Sequence, residues 1–111
     1  MSFIHIKDLK EIENMPGYKA RFIHAEQMTI AYYTVKAGAP FPLHQHPHEQ
    51  ISNMLEGKME FTLDGKTEII EAGKVVVIPA NTPHSGIALT DCKILDVFSP
   101  IREDYRKLSE M

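Results

Sequence analysis

Gly38-Ala-Pro-Phe-Pro-Leu-His44-Gln-His46-Pro-His48-Glu-Gln50-Ile-Ser-Asn-Met-Leu-Glu-Gly57 holds three histidines and two glutamines, with His44, His46 and Gln50 at spacings that suit a metal site. A second stretch answers it: Gly73-Lys-Val-Val-Val-Ile-Pro79-Ala-Asn-Thr-Pro-His84. Imidazole and amide groups gathered in this way are what a divalent first-row metal needs. His44 and His46 are two apart, so on an extended segment both rings project to one face. Gln50, four beyond His46, shares that parity. Glu49 points the other way unless Pro47 introduces a bulge, in which case Glu49 would replace Gln50 as ligand. His84 comes from a distant strand that starts after Pro83. A closed antiparallel barrel would bring such inward residues around one point, making His44, His46, Gln50 and His84 the candidate metal ligands. One histidine alone would read as a polar residue near a strand end; the combination points to metal. His48 reads as orienting a neighbouring ring or lying at the barrel mouth, not as a further ligand.

The rest of the chain sets bounds. Its 111 residues suit one domain, 1–111, with a real core and little left for a second module. Apolar residues make up 43% and charged residues 24%, which argues against disorder. A net charge of -3 and the lack of a basic stripe argue against a nucleic-acid partner. No apolar run approaches the ~20 residues of a membrane span, and Met-Ser-Phe-Ile-His-Ile-Lys lacks a signal-peptide core, so no membrane role is expected. The single cysteine, Cys92, excludes an intramolecular disulfide and fits a cytoplasmic location, with an inert, partly buried thiol.

Strand signals dominate. Segments 20–24, 29–35, 51–55, 58–63, 67–70, 75–78 and 93–98 are short and rich in β-branched or aromatic residues. Asp64-Gly65 supplies the positive φ angles of a tight hairpin, and Glu56-Gly57 separates two strands. Met59, Phe61 and Leu63 alternate with Glu60 and Thr62, one face to a core and the other to water. Only 102–110 reads as helix, with Tyr105 and Leu108 on one side. Many short strands at close spacing predict a sandwich or barrel. Tyr32, Tyr33, Met28 and Met54 read as wall or core residues.

Downstream, Asp96 and Phe98 share a strand face with Ile94, while Leu95 and Val97 take the other. A carboxylate on the inward face of an apolar strand costs several kcal/mol unless it is paired or proton-active. Spacing alone leaves two readings open. In one, Asp96 pairs with a buried base, most simply Arg102. In the other, Asp96 is a general acid/base near the metal and Arg102 clamps a substrate carboxylate.

These segments resemble the two motifs of the cupins. Gly38–Gly57 is similar to the first motif: glycine, five residues, His-x-His, an acidic or amide ligand, then six residues to glycine. Segment 73–88 is similar to the second, in which glycine, five residues and proline precede a histidine. The resemblance implies an all-β jelly-roll barrel (a double-stranded β-helix) of the small single-domain type, closed by a short C-terminal helix. Two departures stand out. Gln50 replaces the more usual glutamate, and Asn81 and Ala88 stand where glycine and asparagine are common. Asparagine tolerates a left-handed backbone better than most residues. With Gln50 all four ligands are neutral, which leaves the ion its full charge and favours Lewis-acid chemistry over oxygen activation.

A narrower resemblance is to the KdgF-type cupins, carried by His-x-His-Pro-His-Glu-Gln and the later Asp-x-Phe-x-x-x-Arg. Ala-Arg21-Phe22-Ile-His24 and Pro83-His84-Ser85-Gly86 add to it. It implies an enzyme that linearises 4,5-unsaturated uronates from pectin or alginate, with a small anionic sugar acid as substrate. It places one divalent transition-metal ion (nickel, zinc, iron, cobalt or manganese) on His44, His46, Gln50 and His84. Asp96, Phe98 and Arg102 then face the substrate. The other readings are a metal-dependent dioxygenase or polyketide-cyclase-like cupin, and a non-enzymatic sugar- or small-molecule-binding module. Small cupins bury sheet edges by pairing, so a homodimer is expected, with the apolar segment Phe3–Ile6 as an exchanged strand.

Overall fold

Alternating apolar residues on short strands must bury one face, and here they do so between two facing antiparallel sheets. The computed structural model describes residues 2–111. Among them, ten strands form a six-stranded sheet, β1-β2-β3-β10-β5-β8, and a four-stranded sheet, β4-β9-β6-β7. The strands are β1 (Ile12–Met15), β2 (Tyr18–His24), β3 (Thr29–Val35), β4 (Pro40–His44), β5 (Glu49–Glu56), β6 (Lys58–Leu63), β7 (Lys66–Glu71), β8 (Val75–Ile78), β9 (His84–Ala88) and β10 (Cys92–Ser99). One helix, α1 (Glu103–Ser109), follows. The jelly-roll barrel and the short C-terminal helix are as expected.

The core lies between the sheets. Phe22, Tyr33, Met54, Met59, Phe61, Ile78, Ile94 and Phe98 are buried there, each on the inward parity of its strand. The β6–β7 hairpin turns at Asp64 and Gly65, both at positive φ (48° and 81°), as the Asp-Gly pair predicts. Gly57 is different in kind: its φ is 96°, and a Cβ there would lie 2.2 Å from the Asp91 carbonyl oxygen. Only glycine fits that close approach.

Two strands, β1 and β4, escaped the sequence reading, and β9 was expected only as a strand starting after Pro83. β4 carries Pro40 and Pro42, which argue against a strand, yet β4 is a sheet edge, where proline is tolerated. β9 reads His-Ser-Gly-Ile-Ala, weak by propensity, and Gly86 in it lies under the Phe41 ring. β1 is short and half-buried.

The N-terminal expectation is corrected. Phe3–Ile6 is not a strand; the chain runs irregularly into a 3-10 turn at Ile6–Asp8. The tail instead packs as α1 against β2, with Tyr105 stacked on Phe22 at 4.9 Å between ring centroids.

Candidate metal centre

Strand register brings the two histidine-bearing stretches together. β4 pairs with β9 so that His44 lies opposite His84. His46 follows in the turn after β4, and the backbone N–H of Asn81 donates to the His46 carbonyl at 2.7 Å, tying that turn to the β8–β9 connection. Asn81 takes a left-handed φ of 57°, the conformation for which its side chain is suited. On β5 the inward residues are Gln50, Ser52 and Met54, whereas Glu49 is exposed. Pro47 therefore introduces no shift that would turn Glu49 inward.

The three imidazoles converge. Their nearest ligand-type nitrogens all lie within 4.8 Å of one another. Each Nδ1 contacts a backbone carbonyl: His44 to Pro42 at 2.8 Å, His46 to His48 at 3.0 Å and His84 to Thr82 at 2.8 Å. A carbonyl oxygen only accepts, so each Nδ1 carries the proton and each Nε2 keeps a lone pair. The His46 Nε2 lies 3.0 Å from Gln50 Oε1, which places one lone pair against another. A cation between them satisfies both acceptors, and the donor set of three neutral imidazoles and one amide oxygen fits a divalent transition metal.

Electrostatics keep these ligands ready. Burial pushes His84 down to about 4, aided by His44, His46 and Arg102 and opposed by the Thr82 carbonyl. Burial, then Arg102, likewise lowers His46. Both are neutral at neutral pH, as metal binding requires. Aromatic rings complete the wall. Phe61 stacks nearly parallel to His84 (9°), and Phe98 meets His46 edge-on at 5.8 Å.

β10 supplies the opposite wall. Phe98 pairs with Gln50 and Asp96 with Ser52, so Asp96 sits one inward position deeper than Phe98. Asp96 is 8% exposed, and its Oδ1 has no hydrogen-bond partner. Burial pushes its carboxyl up to about 6, against the pull of hydrogen bonding from Ser52 and Gln50 and the Arg102 charge. Asp96, Phe98, Arg102, His44, His46, Gln50 and His84 all line one cavity.

Arg102 has a different ion-pair partner from the one spacing suggested. Its Nε and Nη2 donate to Asp104 Oδ1 and Oδ2 at 3.0 and 2.8 Å, and no ion pair joins it to Asp96. Its guanidinium lies 4.7 Å from the Phe98 ring centroid and 3.8 Å from that of Tyr105.

The remaining residues sort by position. His48 is half-buried; its carbonyl fixes the His46 ring while its own Nδ1 has no partner. Tyr33 lines the cavity and accepts a hydrogen bond from Asn14 at 2.9 Å. Met54 is core, Met28 is exposed and Tyr32 faces outward. Cys92 is buried, with its thiol donating to backbone carbonyls. Sequence reasoning missed Ser52, which has the same parity as Gln50 and was therefore findable. It also missed Asp104, although it stands only two residues beyond Arg102.

Residues 31–98 match the Cupin domain family (Cupin_2). The pectin degradation protein KdgF of Dickeya dadantii is 29% identical over 80 residues, 70% of this chain and 72% of that protein. Quercetin 2,3-dioxygenase of Bacillus subtilis is 50% identical over 50 residues, 43% of this chain, a match spanning only 14% of the dioxygenase. The solved structure of KdgF from Halomonas sp. superposes with a TM-score of 0.88 at 29% identity, covering 95% of this chain and 98% of that one.

Proposed function

The chain belongs to the cupin family, its Cupin domain spanning residues 31–98, and from that premise we propose that it is a metal-dependent enzyme that converts a 4,5-unsaturated uronate monomer, derived from pectin or alginate, to its linear keto-deoxy form. The observation that carries this reading is the shared cavity. Three inward Nε2 lone pairs and Gln50 Oε1 face it from one side, and Asp96, Phe98 and Arg102 line it as well. The likeness to two KdgF proteins supports the substrate class.

A divalent ion held by His44, His46, Gln50 and His84 supplies Lewis-acid stabilisation of negative charge on substrate oxygen. Arg102 receives the substrate carboxylate. Asp96, whose Oδ1 is free of protein partners, accepts the proton of the anomeric hydroxyl as the bond from the anomeric carbon to the ring oxygen opens. It returns that proton to the ring carbon that becomes saturated. The ring oxygen ends as a ketone and the anomeric carbon as an aldehyde, so the reaction is an isomerisation with no co-reactant. Phe98 gives the site an apolar wall that excludes water.

The dioxygenase match favours a second reading, oxygen-dependent chemistry at the same ligands. Loss of enol-ether absorbance when metal-loaded protein meets unsaturated galacturonate, absent in His84→Ala, supports the first reading. Oxygen uptake with a flavonol, without uronate turnover, supports the second.

The protein is also proposed to act as a homodimer through the outer face of the larger sheet. Register aligns Ile30, Val97, Ile51 and Val77 in one row across four strands, and Tyr32, Leu95, Asn53 and Val75 in the next. Ile51, Leu55, Val75 and Val77 are exposed. Contiguous apolar patches of this kind mark interaction sites.

A further inference from the structure

A guanidinium can offer two paired edges to carboxylates, one through Nε and Nη2 and one through Nη1 and Nη2. In Arg102 the first edge is taken: both Asp104 oxygens accept from it, at 3.0 and 2.8 Å. The plane of the group is set by aromatic rings, with Tyr105 at 3.8 Å and Phe98 at 4.7 Å from its carbon. The Arg102 side chain is 8% exposed while that of Asp104 is 59% exposed. A half-exposed carboxylate at the rim thus holds a buried cation that lines the cavity. The backbone is pinned as well, since the Arg102 N–H donates to Thr29 Oγ1 at 2.9 Å.

We propose that Asp104 is a positioning residue: by occupying the Nε–Nη2 edge it fixes the guanidinium and leaves the Nη1–Nη2 edge to receive one substrate carboxylate. This rests on the reading of Arg102 as the carboxylate-binding group. It adds a specificity consequence. The site accepts a single carboxylate on a fixed edge, so a uronate is preferred over its neutral ester, and that preference depends on a residue that never touches the ligand. Without Asp104 the long side chain regains rotamers, and a buried cation must find another partner.

The test is a double-mutant cycle on zinc-loaded protein, with turnover of unsaturated galacturonate and calorimetric binding of saturated galacturonate and its methyl ester. Asp104→Ala is expected to raise KM roughly tenfold to a hundredfold, the range for a lost charge-assisted hydrogen-bond pair. Its kcat is expected to stay within about threefold of the parent, as for an interaction equal in ground and transition states. Asp104→Glu should restore most of the KM. In an Arg102→Ala background, Asp104→Ala should add nothing further. The preference for acid over ester should shrink in Asp104→Ala as it does in Arg102→Ala.

Additive effects in the two backgrounds would overturn the proposal, because Asp104 would then act independently of Arg102. A fall in KM would also overturn it, by showing that Asp104 competes with the substrate for the guanidinium. If Asp104→Ala does not fold, Asp104→Asn takes its place in the cycle. Failure of the uronate reading is distinguishable: wild-type protein would leave the unsaturated sugar unchanged. The calorimetric preference and the Arg102 Nε–H resonance, slow to exchange in wild type and fast in Asp104→Asn, still decide the positioning role. A resonance alike in both proteins, or an acid preference untouched by the substitution, would sink it.

Discussion

His44 lies directly opposite His84 across the β4–β9 pairing, their ring centroids 4.3 Å apart, although 40 positions separate them in the chain. Each ring is held by a hydrogen bond to the carbonyl two residues before it, Pro42 for His44 and Thr82 for His84. Two candidate ligands are thus oriented by the strands that carry them.

His84→Ala removes one of these paired candidate ligands from a buried position. Metal affinity is expected to fall by more than the roughly hundredfold seen when only an outer partner of a ligand is lost. Titration of the apo-protein with zinc measures it. Apo-protein should also melt below metal-loaded protein, by about 2.7 kcal/mol of linkage at free metal a hundredfold above Kd. Equal melting of both forms would remove His44, His46, Gln50 and His84 as a metal centre.

Asp96→Asn keeps the shape of the side chain and removes its proton chemistry. Turnover is expected to drop by about two to four orders of magnitude, the span for a lost general acid/base, with metal content unchanged. Metal analysis alongside initial rates separates a lost proton carrier from a damaged centre. Unchanged turnover would end the assignment.

Gly57→Ala should destabilise the fold by about 2 kcal/mol or more. The position needs φ 96°, and the added methyl would meet the Asp91 carbonyl and the Cys92 sulfur. Urea unfolding of the variant and the parent measures the difference, and a loss under about 0.5 kcal/mol would mean the backbone relaxes there at little cost.

His24 ties α1 to the barrel. The Arg102 N–H donates to Thr29 Oγ1, which contacts His24 Nδ1 at 3.0 Å, while His24 Nε2 meets Ser109 Oγ at 3.1 Å. Burial, then the Arg106 charge, lowers the His24 pKa from 6.5, with Glu103 and Glu110 opposing. The unfolded chain therefore takes up this proton first as pH falls through 6.5. Stability contributed by neutral His24 is full above that value and declines below it until the folded-state pKa is reached. Unfolding of metal-loaded wild type and His24→Gln between pH 7.5 and 5 should show a shallower decline in the variant; parallel curves would exclude the effect.

Val77→Glu places a charge in the outward apolar row without touching the cavity. Sedimentation or light scattering is expected to report a dimer for wild type and a monomer for the variant. A wild-type monomer at tens of micromolar would remove the outer face as the dimer contact.

Much of this molecule was legible in the sequence because side-chain parity is local. The alternation of Met59, Phe61 and Leu63, and of Ile94, Asp96 and Phe98, predicts which residues face inward without reference to any partner strand. The same parity marks Gln50, and the Asp64-Gly65 turn declares its own backbone. The histidine spacing points to metal by chemistry that needs only convergence. What stayed hidden depends on partners far apart in the chain. Whether Pro47 turned Glu49 or Gln50 inward waited on the register of β5 against β10. Pro40 and Pro42 could form a strand only because β4 is a sheet edge. Arg102 shows the limit within a short span: it meets Asp104, two residues on, and not Asp96, six residues back on β10; periodicity tells a residue which face to take, but only packing of complete elements tells it which charge it will meet there.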